Sequence, residues 1–324
     1  MEKRLLIAAP VRLELERFDV LFKASSFSSI SRIQAVIEQV MKSDGKKIRP
    51  ILLLLAAKSC GEVNDATYNS AITIELLHTA SLIHDDVVDE SLLRRGKPSL
   101  NAVYDNKIAV LVGDYFLSTA LIKSVLTGNI RIIETISSLG RNLAEGELNQ
   151  LSLVRDSIMD EAEYFDVIRK KTASLLSVCM KIGAMSVGAS EGLIEKFEKL
   201  GEYIGVCFQL RDDVFDYFTT NDVGKPTGND IREGKVTLPL LYALRHNRTD
   251  KSVYFSEIIH SKKFTEDNIT QLIAFARENG GIDYANQKLS EYKAKACRLI
   301  DTLPDNEVKP ALYQAVDYVI ERAY

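Results

Sequence analysis

Six aspartates fall into two groups of identical spacing in this chain of 324 residues. The first is Asp85, Asp86 and Asp89, in LIHDDVVDE; the second is Asp212, Asp213 and Asp216, in LRDDVFDY. On a helix, residues four apart share a face, so Asp85 and Asp89 point the same way, as do Asp212 and Asp216. Like charges at that spacing repel and destabilise an isolated helix. A divalent cation offsets the repulsion. Carboxylates and water suit Mg2+, which commonly bridges protein carboxylates to substrate phosphates. The segments before the groups, ELLHTASLI (75–83) and YIGVCFQL (203–210), are apolar, unlike a solvated helix end. The chemistry predicted is metal-assisted handling of a diphosphate.

Basic residues accompany both groups. Arg94 and Arg95 follow the first within two helical turns, and arginine suits multidentate phosphate recognition. GKKIRP (45–50) is a basic turn before an apolar helix, placed to hold a phosphate without metal. Lys170, Lys171 and Thr172 lie mid-helix between apolar stretches, and Lys225 and Lys235 flank the loop after the second group. Any one of these lysines alone reads as a solvated surface residue; their shared proximity to the acidic groups makes a pattern. His78 lies seven residues before Asp85, near the same helix face, where a lone histidine is more often a satisfied core residue. The sequence has no HExxH, no Cys/His zinc spacing, no Walker loop and no GxGxxG.

The elements that must position these residues are helices. Leu, Ile, Ala, Glu and Lys dominate, and only 17 Gly and 7 Pro punctuate the chain, so good helix formers run with few breaks. Helical periodicity covers roughly 10–23, 28–43, 51–57, 65–90, 107–126, 129–152, 159–189, 191–218, 237–247, 265–279, 282–302 and 306–323. ILLLLAA (51–57) is apolar on nearly all sides, which predicts a buried helix. RRGKPS (94–99) and VGKPTGNDIREGK (223–235) read as loops. With no useful β-alternation and no linker, residues 1–324 read as a single all-α domain. A net charge of −4 argues against a nucleic-acid partner. Cys60, Cys179, Cys207 and Cys297 are scattered without CxxC and read as reduced thiols in helix packing. The N-terminal apolar patch is too short for a signal sequence, and no uncharged apolar run reaches membrane-spanning length. The expectation is a cytoplasmic protein without stable membrane insertion.

The chain resembles the trans-polyprenyl diphosphate synthases. GKKIRP (45–50), ELLHTASLIHDDVVDESLLRRGKPSLN (75–101), GDYFLSTA (113–120), AEGELNQL (144–151), KKTASLL (170–176), FQLRDDVFDY (208–217) and GKPTGNDIREGKVTLP (224–239) are similar to family segments in the family order. Beyond 245 little signature remains. The resemblance implies an isoprenoid-synthase-type helical bundle around a central cavity, a homodimer, and roughly two or three Mg2+ per active site. It implies Asp85, Asp89 and Asp212 as metal ligands, supported in the metal site by Asp86, Asp213 and Asp216. Arg94, Lys171, Thr172, Gln209, Lys225 and Lys235 would hold the allylic diphosphate. Lys46, Arg49, His78 and Arg95 would hold isopentenyl diphosphate. Lys47 stands where the family commonly has arginine, a mild departure. Arg322 is a weak candidate for a basic residue that closes the site.

The implied reaction breaks the allylic C–O bond, with Mg2+ and cationic side chains stabilising the departing charge. The isopentenyl double bond then attacks the carbocation in a water-poor pocket. The departing diphosphate is the expected base, because no side-chain base stands out. The growing tail first meets Ala80 and Ser81, one turn before Asp85. Small residues there imply a long product of the quinone side-chain type, with Leu77, Ile74, Leu117, Leu121 and Leu148 as floor candidates; the bland reading is packing against a neighbouring helix. Alternatives are a shorter farnesyl or geranylgeranyl product, a class I terpene cyclase, or a regulatory subunit. The complete second aspartate group and the 46–49 basic segment argue against the last two.

Overall fold

The structure, a computed structural model, describes residues 2–41, 47–94, 96–153, 159–218, 227–246 and 249–321. Helices dominate it. In chain order they are α1 (Glu2–Ala8), α2 (Arg12–Ser25), α3 (Ser31–Met41), α4 (Ile48–Cys60), α5 (Asp65–Val88), α6 (Leu100–Val103), α7 (Asn106–Val125) and α8 (Ile130–Leu153). There follow α9 (Glu161–Ile168), α10 (Ser174–Ser186), α11 (Glu191–Phe215), α12 (Asn229–Arg232), α13 (Leu238–His246), α14 (Asp250–His260), α15 (Glu266–Glu278), α16 (Gly281–Asp301) and α17 (Lys309–Glu321). Two residue pairs, β1 (Leu93–Arg94) and β2 (Lys97–Pro98), form an antiparallel hairpin where the sequence reads as a loop. A π-helical turn, Arg169–Ala173, joins α9 to α10. Four helices escape the periodicity reading, α1, α6, α12 and α14. α12 is a single turn inside the 223–235 loop, and α14 starts on a Thr249/Ser252 capping box.

The chain divides into two compact units. One comprises Met1–Gly140, Val178–Lys199 and Leu303–Ala315; the other comprises Arg141–Ser177, Leu200–Thr302 and Val316–Tyr324. In the first unit α4 is the core, as its all-round apolarity predicts: Ile51 through Ala57 are each 0% exposed. α5 starts on an Asn64/Thr67 capping box, tied to α10 by Asn64 Nδ2 to the Ser186 carbonyl (3.1 Å) and Thr67 Oγ1 to Ser186 Oγ (2.8 Å). α5 lies along α7. Thr73 Oγ1 reaches the Ala120 carbonyl (3.4 Å) at one end of the contact, and His84 Nε2 meets the Val110 carbonyl (3.2 Å) at the other. Among the described residues, α7 is the one helix long and apolar enough to cross a membrane. Its outer stripe, Leu111, Leu121, Ile122 and Val125, stands exposed.

In the second unit, Tyr217, Ile231, Leu240, Phe255, Ile269 and Phe275 belong to a core built from α12 to α15 and the end of α11. That core fixes the chain leaving the second aspartate group. All four cysteines are free thiols. Burial pushes Cys179 and Cys207 up to about 12 and Cys60 up to about 11.

Candidate active site

The first aspartate group closes α5: Asp85 and Asp86 lie in its last turn and Asp89 just past its end. The C-terminal end of a helix already carries partial negative charge from unpaired carbonyls, so three carboxylates there deepen a potential that favours a cation. The three differ. Asp85 is half-buried, Asp89 exposed and Asp86 buried. Asp86 Oδ1 accepts from Arg94 Nε (2.7 Å) and pairs with Arg94 Nη2 (2.7 Å), while its carbonyl accepts from Asn101 Nδ2 (3.2 Å). Burial pushes the Asp86 carboxyl up, and Arg94 opposes this. Asp86 therefore ties the helix end to the β1–β2 hairpin.

A second cationic position sits on α4. Arg49 Nε and Nη2 straddle Glu75 Oε2 and Oε1 at 3.0 and 3.2 Å. Glu75 is one turn before the half-buried His78 on α5, so it shares a helix face with the histidine. Glu75 was not singled out from sequence; its place one turn before His78 in ELLH is the local signal that marks it. Lys47 caps α4 in a left-handed conformation, and its Nζ reaches Asp19 Oδ1 on α2 at 2.8 Å.

Ala80 and Ser81 separate. Ala80 is 2% exposed and lies on the Thr73–Leu77–Ala80–His84 stripe, whose two ends bond to α7 carbonyls. It lies on the face of α5 that meets α7. Ser81 is half-buried on the Asp85 side, four residues back, with its hydroxyl on the His78 carbonyl (2.9 Å). Of the floor candidates, Ile74 and Leu77 are buried, Leu117 is half-buried, and Leu121 and Leu148 are exposed.

The second group closes α11, with Asp212 half-buried and Asp213 1% exposed. Asp213 is held within the protein: its Oδ2 accepts the Tyr164 hydroxyl and its Oδ1 accepts Gln209 Nε2 at 2.7 Å. Burial pushes its carboxyl up to about 7, with the Asp230 charge adding and the Tyr164 and Gln209 hydrogen bonds opposing. Gln209 Oε1 in turn accepts from Thr172 Oγ1 (2.7 Å), in the π-turn that also carries Lys171. Asp216 accepts the backbone N–H groups of Asn229 (2.9 Å) and Asp230 (3.0 Å), anchoring α12. Gly228, at φ 79°, makes the turn there and leaves no room for a Cβ, which would stand 2.7 Å from Ile269 Cγ2. Lys235 follows, its Nζ 2.5 Å from Glu233 Oε2.

Among the described residues, no three His, Cys, Asp or Glu side chains converge closely enough to enclose a metal. Asp86, Asp213 and Asp216 carry protein-donated hydrogen bonds and buttress the helix ends where Asp85, Asp89 and Asp212 stand. Lys46, Arg95, Lys225 and Arg322 lie outside the described residues.

Residues 30–276 match the family model for polyprenyl synthetase. The chain belongs to the polyprenyl synthetase family. It is a polyprenyl diphosphate synthase, a prenyltransferase with the all-helical isoprenoid-synthase fold. Octaprenyl diphosphate synthase of Haemophilus influenzae is 38% identical over 286 residues, 88% of this chain and 87% of that protein. Among solved structures, a geranylgeranyl pyrophosphate synthase from Bacteroides thetaiotaomicron is 45% identical with a TM-score of 0.86, covering 99% of this synthase and 100% of that chain. A decaprenyl diphosphate synthase from Rhodobacter capsulatus has a TM-score of 0.91 at 32% identity, covering 97% and 98%.

Proposed function

We propose that this synthase condenses an allylic diphosphate with successive isopentenyl diphosphates to an all-trans product of about six to ten isoprene units, whose tail needs an apolar channel. The observation that carries the reading is the presence of two kinds of anion position. Acidic helix ends call for metal, whereas Arg49, held by Glu75, binds an anion without it. Two diphosphates held differently mean condensation of two substrates rather than cyclisation of one.

Asp85, Asp89 and Asp212 are the proposed Mg2+ ligands, and the metal when bound supplies charge neutralisation for the leaving diphosphate. Arg94, Lys171, Gln209, Lys225 and Lys235 orient the allylic diphosphate, and Lys46, Arg49, His78 and Arg95 orient isopentenyl diphosphate. The new C–C bond forms as the double bond attacks the allylic carbon. The proton then leaves to the departed diphosphate, and an alkene is restored. The likeness to octaprenyl and decaprenyl synthases supports a long product of the quinone side-chain type. The 45% identity to a geranylgeranyl synthase favours a second reading, arrest at that shorter length.

The 324 residues act as one catalytic domain, and the chain works as a homodimer in the cytoplasm. The exposed stripe of α7 supports the dimer: Leu111, Leu121, Ile122 and Val125 are 52–64% exposed, a stretch that a second copy would cover. Ile122→Glu combined with Val125→Lys is expected to halve the mass in light scattering; an unchanged mass rejects this interface. Purified chain alone, given farnesyl and isopentenyl diphosphates and Mg2+, is expected to incorporate label into butanol-soluble product. Incorporation that requires an added partner chain would contradict the reading.

A further inference from the structure

We propose that Asp19 is a positioning residue for the isopentenyl diphosphate site: through Lys47 it pins the first turn of α4, and with it the backbone of Arg49. The inference rests on the reading above that Arg49 holds that diphosphate.

α4 starts without the usual support. A helix leaves its first N–H groups unpaired, and a Ser, Thr, Asp or Asn side chain commonly takes one of them. The N-cap here is Lys47, whose ammonium donates and cannot accept, and it makes no side-chain cap hydrogen bond. Lys47 also stands in the left-handed region, at φ 51° and ψ 32°. For a residue with a Cβ that region costs roughly 5- to 30-fold in population. A conformation of this kind persists only where the surroundings hold it, and such residues cluster at ligand clamps.

Asp19 supplies the hold. Lys47 Nζ donates to both of its carboxylate oxygens, at 2.8 and 2.9 Å, and both side chains are half-buried. The helix that carries Asp19 is fixed without this pair. Phe18 beside it is buried, and Arg17 lies over the Tyr68 ring of α5 at 5.1 Å. Farther back on α2, Glu14 takes Lys58 Nζ from the last turn of α4 at 2.9 Å, and the Pro10 carbonyl takes it at 2.6 Å. Lys47 is therefore drawn to a fixed point. Its own carbonyl accepts the Ile51 N–H at 3.2 Å, so holding residue 47 holds the turn that carries Arg49. Glu75 aims the guanidinium from α5; Asp19 fixes the backbone from α2. No local pattern links Asp19 to Lys47, which lies 28 residues on.

Initial rates against isopentenyl diphosphate, at saturating allylic substrate and Mg2+, test the proposal. In Asp19→Ala the turn loses its hold. The KM should rise about 5- to 30-fold, because apparent affinity falls with the fraction of chains in the competent conformation. Lys47→Met removes the pair from the other side and leaves no loose cation; it should do the same, and it carries the test should Asp19→Ala fail to fold. The KM for the allylic substrate and the half-saturating Mg2+ should stay within about threefold in both. Two further variants separate positioning from plain stability. Lys58→Met breaks the other ion pair between α2 and α4, away from the turn. It should lower the melting temperature while leaving the isopentenyl diphosphate KM within about threefold of wild type. Asp19→Ala combined with Lys47→Gly restores the turn without the ion pair, because glycine enters the left-handed region freely and caps helices well. Its KM should return to within about threefold of wild type. Direct binding of the diphosphate by Lys47 predicts no such recovery. Three results overturn the proposal: a wild-type or lower KM in Asp19→Ala or Lys47→Met, an equal rise in Lys58→Met, or no recovery with Lys47→Gly. Arg49→Met with Glu75→Met checks the underlying reading. A wild-type KM there removes the isopentenyl assignment of Arg49 and the proposal with it. A raised KM there beside a wild-type KM in Asp19→Ala sinks the pin alone.

Discussion

Glu75→Gln is the perturbation for which the structure gives the clearest magnitude. Glu75 and Arg49 bond at 3.0 and 3.2 Å, with side chains 13% and 15% exposed. Breaking a buried pair by removing one partner costs about 3–5 kcal/mol, because the other charge stays uncompensated. The residual exposure and the one amide oxygen that glutamine retains put this case near about 3 kcal/mol. The guanidinium also loses the fork that aims it. A misdirected charged hydrogen bond forfeits about 1.5–3 kcal/mol, which is about 10- to 100-fold in affinity. Initial rates against isopentenyl diphosphate at saturating allylic substrate should show KM raised by that factor, and urea unfolding should show the stability loss. Replacing both residues, Arg49→Met with Glu75→Met, should restore most of the stability, since buried pairs are exchangeable for apolar ones, while leaving KM high. Wild-type KM and stability in Glu75→Gln would refute the assignment of Arg49.

Four further outcomes follow from particular contacts. Ser81→Phe, on the Asp85 side of α5, should shorten the product. Ala80→Phe should shorten it too, and should also destabilise the protein by about 1–3 kcal/mol, because position 80 is packed against α7; an unchanged product distribution in both rejects this account of length control. Gly205→Ala, whose Cβ would stand 2.5 Å from Ala173 Cα in the π-turn, should lose about 1–3 kcal/mol by overpacking together with kcat, read by thermal melting and steady-state rates. The thiols give a pH prediction. With Cys179 and Cys207 pushed up to about 12, about one part in ten thousand is thiolate at pH 8, so iodoacetamide should spare both in the native protein. Labelling should rise with pH, first at Cys297, which burial raises less, then at Cys60 near its value of about 11, and all four thiols should label rapidly once unfolding restores ordinary values.

The sequence displayed the chemistry better than its support. The two aspartate groups were legible because their carboxylates lie close along the chain in one repeated spacing, and both fell on helix ends as expected. The α4 core was legible for a similar reason: an unbroken apolar run has no polar face to expose. Support by distant residues was not. Tyr164 lies 49 residues from Asp213 in sequence, and no periodicity links them. Arg49 meets Glu75 because α4 packs on α5, which the pattern of either helix alone does not fix. The π-turn at Arg169–Ala173 hid inside an ordinary helical pattern, since one extra residue barely disturbs the periodicity. α14 was missed although its capping box, Thr249 with Ser252, was a readable start signal. Ala80 and Ser81 are neighbours in sequence, and a rotation of about 100° per residue puts them on different faces of α5, which the sequence alone does not assign to particular neighbours.

The central claim is repeated condensation to a long chain, and product length measures it directly. The purified synthase would be incubated with farnesyl and isopentenyl diphosphates and Mg2+, the products dephosphorylated, and the alcohols resolved by mass spectrometry. The account predicts a narrow distribution centred within about six to ten isoprene units, set by the apolar channel. A product that stops at geranylgeranyl length with isopentenyl diphosphate still in excess would contradict it.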